Sequence, residues 1–175
     1  ARTFAHDQAV EHFEQVMVLE ATHRRFVGAV IDVAMVQESL GDELLMLRRW
    51  AAAEASFRTS LDLVAADRVA PARLLRKLAR VEERQSRYAE AVRRLQSAEA
   101  ALREPDTDAP SAWWHEWIGI QIALSFVHYW QGDLPTPAQA RIARYAWAGA
   151  CHDVIEKKLC VLAAWLTARG GQPRR

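Results

Sequence analysis

The strongest constraint on this chain is a pattern written twice. Residues 40–61, LGDELLMLRRWAAAEASFRTSL, and residues 78–99, LARVEERQSRYAEAVRRLQSAE, align at a constant offset of 38. Leu40 meets Leu78, Gly41 meets Ala79, Trp50 meets Tyr88, Ala53 meets Ala91, Phe57 meets Leu95 and Ser60 meets Ala98. Each copy has a small residue inside an apolar-striped helix, an aromatic at a turn, then an Ala and a bulky apolar residue four apart. Residues four apart share a helix face. A single helix-turn-helix unit leaves that face uncovered, and stacking a second unit on it buries it. The pattern therefore predicts an all-α fold of antiparallel helix pairs.

The remaining sequence is consistent with helices. Apolar residues make up 51% and charged residues 26%, a globular balance, with only 7 Gly and 6 Pro to interrupt helices. The formal charge of +1 argues against a dedicated nucleic-acid binder. No charged segment followed by an apolar one opens the sequence, and the longest apolar stretch, 118–130, is too short to span a bilayer. Cys151 and Cys160 lie nine residues apart, on opposite faces of one helix and roughly 13 Å from each other, which is too far to bridge. They read as reduced thiols of a cytoplasmic protein.

Taken in order, residues 1–22 read as a half-repeat, the second helix of a pair. Asp7 is its cap, and Ala9 and Phe13 correspond to Ala53 and Phe57; this suggests a sequence cut from a longer array. Residues 23–66 form the first full repeat, with one helix over 27–48 and another over 50–63. Gly41 sits in mid-helix, where Gly costs about 1 kcal/mol against Ala, so a close neighbouring helix is expected there. Residues 67–104 form the second repeat, with helices over 72–85 and 88–102, and Pro71 in a first turn. EPDTDAP at 104–110 is a loop, and Ser111 is a candidate cap for a helix over 112–131. Residues 111–150 read as a divergent third repeat, 151–169 as a capping helix and 170–175 as a disordered tail.

The segments LGDELLMLRRWAAAEASF and LLRKLARVEERQSRYAEAVRRL resemble the tetratricopeptide repeat, whose unit is a helix-turn-helix of about 34 residues. Arg48 and Ser86 depart from it, standing where that family usually has Gly at the turn. The resemblance implies a right-handed α-solenoid whose first helices line a concave surface. The second segment also resembles the repeat regions of large bacterial signalling proteins. Those join an ATPase module to an adenylate or guanylate cyclase domain or a transcriptional-regulator domain. That resemblance implies a non-catalytic scaffold for protein–protein interaction, with any catalytic domain outside this segment.

No motif for catalysis, a metal or a cofactor is present: GxSxG, HExxH, CxxC and GxxxxGK[ST] are all missing. His6 and His12 do not share a helix face. His152 and Glu156 do, but lack a third ligand. Two stripes remain as candidate partner sites. Arg73, Arg76, Arg80 and Arg84, spaced 3, 4 and 4, face the concave side by the repeat alignment, and suit an acidic peptide or another anionic ligand. Pairing within the helix, as of Arg80 with Glu83, would leave them a solvated face. Ile122, Phe126, Tyr129 and Trp130 fall on the same side of the third repeat. They are expected either to anchor an apolar partner or to be covered by the capping helix. A two-fold contact between copies of the chain is the other use such a surface can have.

Overall fold

The computed structural model describes residues 2–23, 32–64, 69–102 and 110–131. All regular structure among them is helical: α1 (Arg2–His23), α2 (Val33–Met46), α3 (Trp50–Leu63), α4 (Val69–Arg84), α5 (Tyr88–Leu102) and α6 (Ser111–Gln131). The expected third-repeat second helix, the capping helix, both cysteines, His152 and Glu156 lie outside the described residues.

The pairs α2–α3 and α4–α5 are joined by nearly identical turns. Arg48 and Ser86 adopt left-handed backbone conformations, with φ of 62° and 59°. In the first turn the Arg49 N–H donates to the Leu44 carbonyl and the Arg48 N–H to the Leu45 carbonyl. In the second, Arg87 donates to Glu82 and Ser86 to Glu83. Both are Schellman closures, in which a left-handed residue lets two N–H groups reach back to the last helical carbonyls. The chain reverses at each. Ser60 Oγ donates to the Ala34 carbonyl, while Phe57 lies against Gly41, so position falls along α3 as it rises along α2. Between α5 and α6 the contacts of Leu102 with Trp113 and of Glu99 with Gln121 show the same reversal.

Gly41 has the close neighbour its position suggested. A Cβ there would stand 2.5 Å from Phe57 Cε1. In the second copy Ala79 and the smaller Leu95 occupy the corresponding positions, and both are buried. Ala53 and Ala91 are 0% exposed, as close helix crossings require. Trp50 and Tyr88 are half-buried at the starts of their helices, each packed on its neighbouring core.

α4 is the wall between two cores. Leu74, Leu78 and Val81 pack with Phe57, Leu44 and Val10 on one side. Ala72 and Ala79 pack with Leu95, Trp117 and Ile120 on the other.

Four local expectations are corrected. The helix expected over 27–48 begins at Val33, because the Asp32 side chain accepts from the Met35 N–H and caps it, and it ends at Met46. Asp7 is not a cap: it lies within α1 and accepts from Arg49 Nη2 at 3.2 Å, tying α1 to the α2–α3 turn. α1 buries Val10 rather than the expected Ala9 and Phe13, which are only half-buried. Ser111 is the first helical residue of α6, with the Trp113 N–H bonded to the Pro110 carbonyl.

Candidate functional site

With both flanks of α4 buried in cores, its remaining face carries the arginine stripe. The structure divides that stripe into two halves. Arg73 grips Glu38 of α2 with two hydrogen bonds of 2.8 Å each, from Nε and Nη2. Lys77, one turn on, bonds both Glu38 at 2.7 Å and Asp42 at 2.5 Å. Glu38 and Asp42 are four apart, as are Arg73 and Lys77, so α2 and α4 run side by side in the same direction at an offset of 35. Burial alone would push the Glu38 carboxyl up. The hydrogen bonds and charges of Arg73 and Lys77 outweigh it and hold its pKa below the ordinary value.

Arg76 turns the other way. Its Nε and Nη2 bond Glu116 of α6 at 2.5 and 3.1 Å. Glu116 is buried, so the pair is partly desolvated, and such a pair is costly to break from one side only. Gly119 lets the arginine pass: a Cβ there would lie 3.1 Å from Arg76 Nε. A third cross-link holds α5, where Arg94 Nη2 bonds Glu82 Oε1 at 2.5 Å. Glu82 Oε2 is buried without a hydrogen-bond partner.

Arg80 and Arg84 are exposed, and among the described residues no carboxylate lies within ion-pair distance of either. Arg80 does not pair with Glu83. Of the aromatic stripe, Ile122 is half-buried against the core shared by α4, α5 and α6. Phe126 and Trp130 are 40% and 60% exposed, and the Tyr129 side chain lies outside the described ones. The buried aromatic cluster is instead Trp113 with Trp117, stacked at 6.5 Å between ring centroids, and Trp114 edge-on to both. Trp113 Nε1 donates to the Leu102 carbonyl at 3.0 Å and fixes the α5–α6 approach.

The sequence reading missed Glu38, Asp42 and Glu116 as the partners of the stripe. The matching four-residue spacing of Glu38 with Asp42 and of Arg73 with Lys77 was the available signal. His6 Nδ1 lies 2.5 Å from Glu43 Oε2, a second tie of α1 to α2. Among the described residues no group of three or more His, Cys, Asp or Glu is placed to hold a metal ion. No described helix is long and apolar enough to cross a membrane.

Residues 115–174 match the family model described as epoxyqueuosine reductase QueG, DUF1730. The matched stretch is about a third of the 175 residues and begins inside α6. No curated protein and no solved structure matches the chain.

This match corrects three expectations. The family model that fits is not a tetratricopeptide one, and the resemblance to cyclase-linked signalling proteins goes with it. The reading as a non-catalytic scaffold for protein–protein interaction is likewise overturned, since the similarity is to a family named for a reductase. The physical reason is that a small residue opposite a bulky one, a left-handed turn and a buried Ala are what any tight antiparallel helix pair needs. They report packing, which unrelated helical families share.

Proposed function

We propose that the chain is a helical segment of an epoxyqueuosine reductase-type protein, in which α1–α5 seat the reductase-like stretch that begins in α6. The observation that carries this reading is the match over 115–174, joined to the place where it starts. Glu116 and Gly119, both inside the matched stretch, are the residues through which Arg76 holds α6 on α4. In this reading the described helices position and do not react, and the reduction belongs to residues outside them.

The antiparallel pairs are proposed to stack as a right-handed α-solenoid. The parallel, ion-paired run of α2 beside α4 supports this. A cytoplasmic location fits the reading of Cys151 and Cys160 as free thiols, and alkylation without reductant, followed by mass measurement, checks it.

The functional test is chemical. Reducing an epoxide to an alkene needs two electrons and two protons, with the oxygen leaving as water, so the protein is supplied with a low-potential electron donor and epoxyqueuosine. Mass spectrometry should find queuosine. A folded protein that neither converts epoxyqueuosine nor binds it saturably would overturn the proposal.

A further inference from the structure

The divided arginine stripe points to a docking surface separate from the reductase reading. Along the first half of α4 the chain supplies its own acids, from α2 on one side and α6 on the other. Beyond Lys77, among the described residues, neither α2 nor α6 places a carboxylate on Arg80 or Arg84. After Asp42, the next acid on α2 is Glu43, held by His6, and the rest of that helix, 44–46, is Leu-Leu-Met. From Gly119 to Gln131, α6 contains no Asp or Glu at all. Arg80 and Arg84 stand one turn apart on the same face of α4 as Arg73 and Lys77, with exposed guanidinium groups.

We infer that Arg80 and Arg84 form a docking surface for an acidic amphipathic helix bearing two carboxylates four residues apart. The chain itself shows the mode: α2 presents Glu38 and Asp42 to Arg73 and Lys77 at that spacing. At the offset of 35, Leu45 and Met46 of α2 stand level with Arg80 and Val81. Met46 is 62% exposed, which gives the incoming helix an apolar contact beside the two charges. Arginine favours this occupant because its planar fork takes a carboxylate with two parallel bonds, as Arg73 does with Glu38. The alignment of Arg80 and Arg84 along one helix also specifies a spacing that a diffuse polyanion would not need.

The test is a fluorescence-anisotropy titration of the protein with a stapled helical peptide carrying two Glu four apart, flanked by Leu. Binding should weaken at least tenfold in Arg80→Gln/Arg84→Gln, and further in Arg80→Glu/Arg84→Glu. The Arg93→Gln control, which alters an exposed Arg–Glu pair on α5, should leave it unchanged. Arg80, Arg84 and Arg93 are all exposed, and unchanged helicity by circular dichroism confirms folding. Affinity should also fall with added salt, since exposed charges are screened beyond about 8 Å at physiological ionic strength. The inference is overturned by no measurable binding to the wild type, by equal binding to the variants, or by equal binding of a peptide with its Glu two apart. Displacement of the peptide by inorganic polyphosphate at equal charge concentration would also overturn it, by showing a surface with no preference for a helix.

Discussion

Replacing Gly41 by Ala should destabilise this protein, although Ala is the better helix former. The substitution gains about 1 kcal/mol of intrinsic helix propensity. Against that, the new methyl would stand 2.5, 2.6 and 2.9 Å from Cε1, Cδ1 and Cζ of Phe57. Carbon atoms in contact prefer about 3.5–4.0 Å, so the ring must retreat by roughly 1 Å. Phe57 is 0% exposed and walled by Leu44, Leu74 and Leu78, so that movement displaces a packed core. Overpacking of this kind costs typically 1–3 kcal/mol, which outweighs the propensity gain for most of that range. The second copy supplies the compensating change, because Ala79 is accommodated there opposite Leu95. Phe57→Leu alone leaves a cavity, whereas Gly41→Ala/Phe57→Leu recreates the pairing of the second copy. The double variant should be more stable than the sum of the single effects by at least about 1 kcal/mol, within the range measured for touching residues. Urea unfolding followed by far-ultraviolet circular dichroism gives the three free energies. A Gly41→Ala protein as stable as the wild type, or additivity within about 0.5 kcal/mol, would refute the packing argument.

Further predictions concern the turns, the buried ion pair, an acid-sensitive contact and a helix crossing. Arg48→Gly and Ser86→Gly should each stabilise by about 0.5–1 kcal/mol, because both positions are left-handed and Gly relieves that strain; a lower urea midpoint for either would count against the turn geometry. Arg94→Ser should destabilise by about 3 kcal/mol by leaving Glu82 buried and unpaired, and Glu82→Leu/Arg94→Ser, which copies Leu44 and Ser56, should recover most of the loss in the same unfolding assay. Glu38 has a folded pKa below its unfolded value of about 4.3, so its contribution is full above that pH and disappears as pH falls through the lower folded value. The stability gap between wild type and Glu38→Gln should therefore be constant near neutrality and narrow as the pH falls into the acid range, and a gap that widens on acidification would be the wrong outcome. Ala91→Leu should melt well below the exposed control Ala89→Leu, since Ala91 has no space around it.

Much of the local structure was legible because helix packing is written at short range. The ends of α3 and α5 follow from aromatic starts and apolar spacing, and Gly41 announced a close crossing because Gly has no other use in mid-helix. Helix starts were less legible. Asp7 and Ser111 have the chemistry of caps but lie inside helices, whereas Asp32, which does cap, sits in a stretch whose apolar spacing already looked helical. The fate of the arginines was harder still. Arg73 and Arg76 find carboxylates 35 and 40 residues away, on opposite sides, and nothing in the stripe's own spacing tells which arginines will be taken. The similarity to a reductase family lies in residues 115–174, where the repeat pattern weakens, so attention to the well-repeated part pointed away from it.

The proposed seating of the reductase-like stretch on α1–α5 rests on Arg76 of α4, which holds α6 through Glu116 beside Gly119. Its most direct test is the rate of epoxyqueuosine conversion by the wild type and by Gly119→Leu, whose side chain would collide with Arg76 and lift α6 from its place. The expected result is conversion to queuosine by the wild type and a loss of at least tenfold in the variant, with helicity retained. Conversion at the same rate by both proteins, or neither conversion nor saturable binding by a folded wild type, would contradict that seating.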